Sequence, residues 1–373
     1  MRLGKSMMLG AVLSFAVGCG GNGAGNVEDT EYVEALPDLA GVSLEISGSA
    51  SEQGAALTGA DFGVYEAALA GSGPEFLEGA RMKVQALNGA LKQAVTQVVA
   101  LANGDLKEAE AGDVLTYGPK DGANATFLLK VKKQGAGRFA WKLEARPLGS
   151  EDEAAYKVVA VGRMVRGTEP HRGRGSIGLN LDNLKAVAPA TTGEGKLLAS
   201  FAHPATGGKA LAYRLVGFTP NVDNHEPVTG AFVGHKLEGG ATRIRIFGKH
   251  NLAQTATEEK ETVFSRIAYK PGVGGRADIV AKGGDIAEGV FYIGSACWDA
   301  QEQELFKVLR QCTVGQPLTS CEQVFIEGER TACPAAEFRG DVEPPSQEPG
   351  SATPEPGAPE TPDEVPSDVV ADF

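Results

Sequence analysis

Chemistry in this chain would have to come from few residues. Cys297, Cys312, Cys321 and Cys333 lie together ahead of a proline-rich end, where they could hold a metal or close disulfides. Structural zinc sites draw on closely spaced cysteine pairs, and no CxxC occurs here. Two disulfides are therefore expected, with all three pairings open. His171, His203, His225, His235 and His250 stand apart, with no HxxxH or HExxH spacing, and are expected as scattered surface histidines. Asn221 to Glu226 (NVDNHE) gathers oxygen ligands but lacks the spacing and glycine of an EF-hand loop. A polar turn is expected there, and no metal.

GRGSIG, Gly173 to Gly178, matches the dinucleotide pattern GxGxxG letter for letter. That fingerprint needs a strand running into a glycine turn that opens a helix, so that helix amides face a pyrophosphate. Here Leu179-Asn180-Leu181-Asp182 continues a strand-like alternation, and Pro170 and His171 interrupt the approach. The glycines are expected to mark a bend or bulge in a sheet. There is no GxSxG, no P-loop and no free cysteine beside a histidine. The expectation is a non-enzyme with no cofactor, no catalytic residue and no assignable ligand-binding residue.

The chain begins with Arg2 and Lys5, then an apolar run from Met7 to Val17. This run is well short of the roughly 20 residues that span a bilayer and fits a secretory signal peptide. Ala16-Val17-Gly18-Cys19 resembles the lipobox of bacterial lipoproteins, although that family usually has Leu where Ala16 stands. The resemblance implies cleavage after residue 18, acylation of Cys19 and retention at a membrane, since several acyl chains anchor stably where one does not. It also leaves an even set of four cysteines, as an oxidising compartment favours. Gly20, rather than Asp, after the cysteine resembles an outer-membrane address.

Charge is unevenly spread around a formal net value of −13. From Asp341 to Asp372 there are nine acidic residues, no basic ones and eight of the 20 prolines, so nothing there can build a core. A solvated tail is expected over residues 341–373, with a sticky acidic arm as its functional reading. Val27 to Asp113 holds fifteen acids against Arg81, Lys83, Lys92 and Lys107, whereas Val114 to Gly340 carries 29 bases and 24 acids. That excess is too small and scattered for nucleic acid. An acidic region packing on a basic one is expected instead.

These residues need a scaffold. After a glycine-rich tether over residues 19–30, an acidic helical region is expected over 31–113. Its clearest helix starts at Pro74 and buries Leu77, Ala80, Val84, Leu87, Leu91, Ala94, Val98 and Leu101, with Asn103-Gly104 as the stop. Asn88-Gly89 interrupts this stripe and argues against a coiled coil. Asp61 to Leu69 could form a shorter helix. From Thr126 the period becomes two: Phe127, Leu129 and Val131 alternate with Lys130 and Lys132, then Phe139, Trp141 and Leu143 with Lys142 and Glu144. Similar strands recur to Trp298, joined by short links, with a returning strand over Gln301 to Gln311.

The fold class expected is α+β, mainly β: a large curved antiparallel meander or partial barrel over 114–340, covered by the amphipathic helix and ending in a disulfide-stapled hairpin. The function expected is a membrane-anchored cell-envelope lipoprotein, most simply at the outer membrane, acting as a structural or protein-interaction module. The alternative is a carrier of a lipid or other apolar ligand in the concave sheet, a fold-level analogy only.

Overall fold

The computed structural model describes residues 27–46, 73–104, 106–110, 114–190, 193–203, 208–219, 228–237, 239–250 and 259–334. Cys19 with its signal peptide and residues 19–26 of the expected tether, the Asp61–Leu69 segment, Asn221 to Glu226 and the acidic tail lie outside them, whereas residues 27–30, expected to belong to the tether, already open a helix.

Fifteen antiparallel strands form one sheet in sequence order. They are β1 (Leu106–Glu110), β2 (Val114–Asp121), β3 (Ala125–Gly135), β4 (Arg138–Pro147), β5 (Lys157–Arg166), β6 (Gly173–Asn180), β7 (Glu194–His203) and β8 (Lys209–Thr219). There follow β9 (Val228–Lys236), β10 (Thr242–His250), β11 (Glu261–Lys270), β12 (Gly274–Lys282), β13 (Val290–Trp298), β14 (Glu304–Thr313) and β15 (Glu322–Gly328). The meander is open: β1 and β15 are its two ends and do not pair with each other. The alternation from Thr126 is realised, and Gln301 to Gln311 does return as a strand, β14. β2 begins at Val114, where the β-rich region was expected to start, whereas β1 lies inside the 31–113 stretch expected to be helical; neither strand has a clean period of two. β15 also escapes the pattern, since nearly all of it is exposed.

Among the described residues four α-helices accompany the sheet: α1 (Val27–Ala35), α2 (Leu39–Val42), α3 (Gly73–Ala102) and α4 (Leu181–Val187). In α3 the expected stripe is buried from Leu77 to Leu101, with Ala94 partly buried against the core. Each fully buried Leu or Val there contributes about 1.5–3 kcal/mol. The helix ends where Asn103-Gly104 predicts, with Asn103 N–H donating to the Val99 carbonyl and Gly104 N–H to that of Leu101. It runs unbroken through Asn88-Gly89.

The curl has two rims. At the first rim β5 and β7 end and β8 and β12 begin; at the second β2 and β6 end. Helix α3 threads the concave side between them. Near its start Arg81 meets Glu302 in the β13–β14 turn, and near its end Leu101 lies beside Gly118 of β2. It rests on both limbs of the curl, on β2 and β3 and on β12 to β14. Helices α1 and α2 fill the concavity beside β4, β5 and β7, and α4 lies across β5 and β7 at the second rim. Helices and strands share one apolar cluster from Tyr32 to Trp298, so the acidic helical region and the sheet are built around a common core.

GRGSIG lies wholly inside β6, whose pairing with β5 and β7 shows no register shift. The expected bend or bulge is therefore absent from those ladders. The strand-like alternation read through Asp182 also stops earlier: α4 begins at Leu181, and the Asn180 side chain caps it by accepting from Asn183 N–H. The glycines still face no helix N-terminus, because the strand separates them from it.

Candidate functional site

The concave face is the place where a ligand would sit, and its residue types decide what occupies it. Large side chains face glycines across it. A Cβ on Gly162 would stand 2.3 Å from the Trp141 ring, and one on Gly275 would stand 2.5 Å from Trp298. Gly175 makes the same room for Phe201, and Gly234 for Leu44. No side chain fits at distances under 3 Å without displacing its neighbour, so these glycines are the floors on which the aromatic and leucine side chains lie. Trp141 and Trp298 are fully buried. Tyr32 of α1 packs edge-on against Phe139 with ring centroids 5.4 Å apart.

A polar clip joins the two pieces of chain that fill the interior. Asn88 Nδ2 donates to the Leu44 carbonyl at 2.7 Å, and Leu44 N–H donates back to Asn88 Oδ1 at 3.2 Å. Tyr213 on β8 donates its hydroxyl to the same Oδ1. Burial drives the Tyr213 hydroxyl pKa far upward, which keeps it a donor. One residue thereby ties α3, the segment after α2 and the middle of the sheet together. Its signal was legible: Asn88 follows Val84 by four and precedes Leu91 by three, which puts an amide on the apolar stripe.

The first rim holds the charged groups. Arg81, 3% exposed, donates to both carboxylate oxygens of Glu302, at 2.9 and 2.5 Å, and lies over the Tyr269 ring. This hydrogen-bonded pairing lowers the Glu302 carboxyl pKa and raises that of Arg81. Two residues on, Lys83 is buried on α3, and desolvation lowers its pKa to about 7. Across the rim the N-terminal segment is clasped by the body. Glu34 pairs with Arg166, and Glu31 with Lys133 at 2.7 Å. His171 Nδ1 meets the Leu36 carbonyl at 2.9 Å, and Lys209 Nζ donates to the Ala40 carbonyl at 2.6 Å. His203, paired with Arg172, is buried, and desolvation followed by the Arg172 charge lowers its pKa. The acidic front does pack on the basic body, through these contacts.

Two of the five histidines, expected apart at the surface, thus meet at this rim. His171 holds the chain just after α1 through the Leu36 carbonyl, while His203 pairs with Arg172. His235 lies on the convex face opposite Arg243, and His225 is outside the described residues. Among the described residues no group of three or more His, Cys, Asp and Glu could hold a metal ion.

The four cysteines pair as Cys297–Cys333 and Cys312–Cys321. Neither staples the β13–β14 hairpin, where the bridges were expected. Cys312–Cys321 closes the β14–β15 connection instead. Cys297–Cys333 pins the chain after β15 onto the convex face of β13, within a small cluster containing Phe306 and Val308. The spacing of four cysteines carries no information about this choice, because the convex position of Cys297 depends on strand register.

Among the described residues no helix is long and apolar enough to cross a membrane. Comparison with protein-family models, with curated proteins and with solved structures gives no match to this chain.

Proposed function

We propose that this protein is a lipid-anchored lipoprotein of the bacterial cell envelope, held at the outer membrane through Cys19. In this reading the folded sheet is a non-enzymatic structural or protein-interaction module. The observation that carries the second part is the close packing of the chain's own side chains on the concave face. The glycine floors under Trp141, Phe201, Leu44 and Trp298 are occupied by the chain's own side chains, and Asn88 fastens the filling in place. A carrier needs a concave cavity of about 300 Å³ or more for its ligand. The groups gathered at the first rim are already committed to one another as ion pairs and backbone contacts, an arrangement suited to holding rather than reacting. The anchor itself is supported by the Ala16-Val17-Gly18-Cys19 motif and the even set of cysteines that remains.

Two measurements test the proposal. Cys19→Ser should abolish incorporation of labelled fatty acid and release the protein from membranes; unchanged labelling would overturn the anchor. Solvent extraction of the purified Cys19→Ser protein, followed by mass spectrometry, should yield no stoichiometric lipid. A lipid recovered at one per chain would overturn the filled-module reading in favour of the carrier.

A further inference from the structure

The convex face has a chemistry of its own. Alternation places Arg243, Arg245 and Lys249 of β10, Arg266 and Lys270 of β11, and Arg276 of β12 on the side away from the core, with Asp278 as the acid of β12 among them. Asp278 is already held by Arg276 and Ser295. Arg245 and Arg266 are directly opposite each other in the ladder, and both are exposed. Like charges at such a pair destabilise a sheet; Asp278 stands directly opposite Arg266 on its other side, but its Oδ1 is already taken by Arg276 and Ser295. A face of this kind is completed by carboxylates from elsewhere.

The chain supplies them. We infer that the acidic tail, Asp341 to Phe373, folds back across the convex face and lays its carboxylates over Arg243, Arg245 and Arg266. The geometry points there because the Cys297–Cys333 disulfide fixes where the tail departs. Cys297 is on the convex side of β13, opposite Arg276, which is opposite Ala268, which is opposite Arg243. The exit point is thus three strand spacings from the arginines, about 14 Å. The eight residues from Cys333 to Asp341 can span on the order of 26 Å, so the first acids reach the patch with chain to spare.

Energetics favour a loose, many-partnered contact. The tail has nine acids, no bases and nothing apolar enough to build a core, so it binds by charge alone. Tethering raises its effective concentration at the patch to the millimolar range, where even weak carboxylate–guanidinium contacts are populated. The inference does not depend on Cys19 or on membrane attachment, so it and the proposed function fail separately.

Zero-length carbodiimide cross-linking of the full chain, with the products mapped by mass spectrometry, tests it. The doubly substituted variant R245K/R266K keeps the charge and puts reactive amines in the patch. Tail carboxylates should join to residues 245 and 266 and to Lys270, within one chain, while Lys130 on the opposite limb takes no link to the tail. The yield should fall at least about fivefold in 1 M salt, where the screening length is about 3 Å. Wild-type protein, cross-linked at Lys270 with the same salt dependence, serves as the check should the variant fold poorly. Joining to Lys130 as readily as to the patch would overturn the inference. So would links between chains, which would assign the face to a partner in trans, or the absence of tail links.

Discussion

The two faces of the sheet are made by the same strands and follow opposite rules. On the concave face the side chains of Trp141, Phe201, Trp298 and Leu44 each lie over a glycine. On the convex face of β10 and β11 the long basic side chains of Arg243, Arg245, Arg266 and Lys270 are exposed, and Arg245 stands opposite Arg266. The concave face stabilises; the convex face, having spare charge and exposure, is where an outside contact can be made. A substitution should therefore be costly among the packed side chains of the concave face and nearly silent among the exposed basic residues of the convex face.

The largest effect is expected from Trp141→Ala, which empties the space over Gly162 and should cost about 3–5 kcal/mol by urea unfolding. Next are the bridges. Replacing Cys297 and Cys333 by serine opens a 36-residue separation and should cost about 4 kcal/mol, while the Cys312 and Cys321 pair, 9 apart, should cost about 3. Equal costs would show that loop entropy in the unfolded chain is not what these bridges act on. Asn88→Leu keeps the stripe apolar but strands the backbone of Leu44 and the Tyr213 hydroxyl, for a loss of about 1–3 kcal/mol. A neutral result would mean that the clip contributes nothing beyond packing.

Lys83 provides a test in pH. Its pKa is about 7 when folded, against an ordinary value of 10.5, so between these the unfolded chain binds a proton that the folded chain does not. Stability from this group should accordingly rise as pH increases from about 7 toward 10.5, and lie at its lowest below that window. Lys83→Met should remove the rise and raise stability at neutral pH, measured by thermal unfolding at a series of pH values. The smallest effect belongs to the convex face: Arg245→Glu should shift stability by no more than about 0.5 kcal/mol while reducing tail contact. A loss comparable to Trp141→Ala would end the distinction between the faces.

Much of this was legible in the residues, for stated reasons. A stripe at steps of three and four along α3 and an alternation of period two along β3 and β4 each report one buried face, and burial follows them closely. Where one face is not buried, the signal fades, and β15 was missed for that reason. β1 was missed, and β2 was not delimited within the expected β-rich region, because Leu106 to Asp121 lacks the alternation. The helix α4 was hidden because Leu179-Asn180-Leu181-Asp182 satisfies a strand pattern as well as a helix start. The capping bond from Asn183 to Asn180 settled it.

For the candidate site the division is different. Asn88 was visible as an amide on an apolar stripe, yet its partners Leu44 and Tyr213 are 44 and 125 residues away and no local pattern could name them. Arg81 and Glu302 are likewise 221 residues apart. Sequence by itself determined the alternation of the sheet, the amphipathic helix meant to cover it, the Cys19 motif and the uneven distribution of charge, since each depends on near neighbours in the chain. Only the tertiary structure decided which side chains lie over the glycines of the concave face, which cysteines meet and on which face the bridge at Cys333 sits. Those depend on register and curvature, through which residues hundreds of positions apart come within a few ångströms.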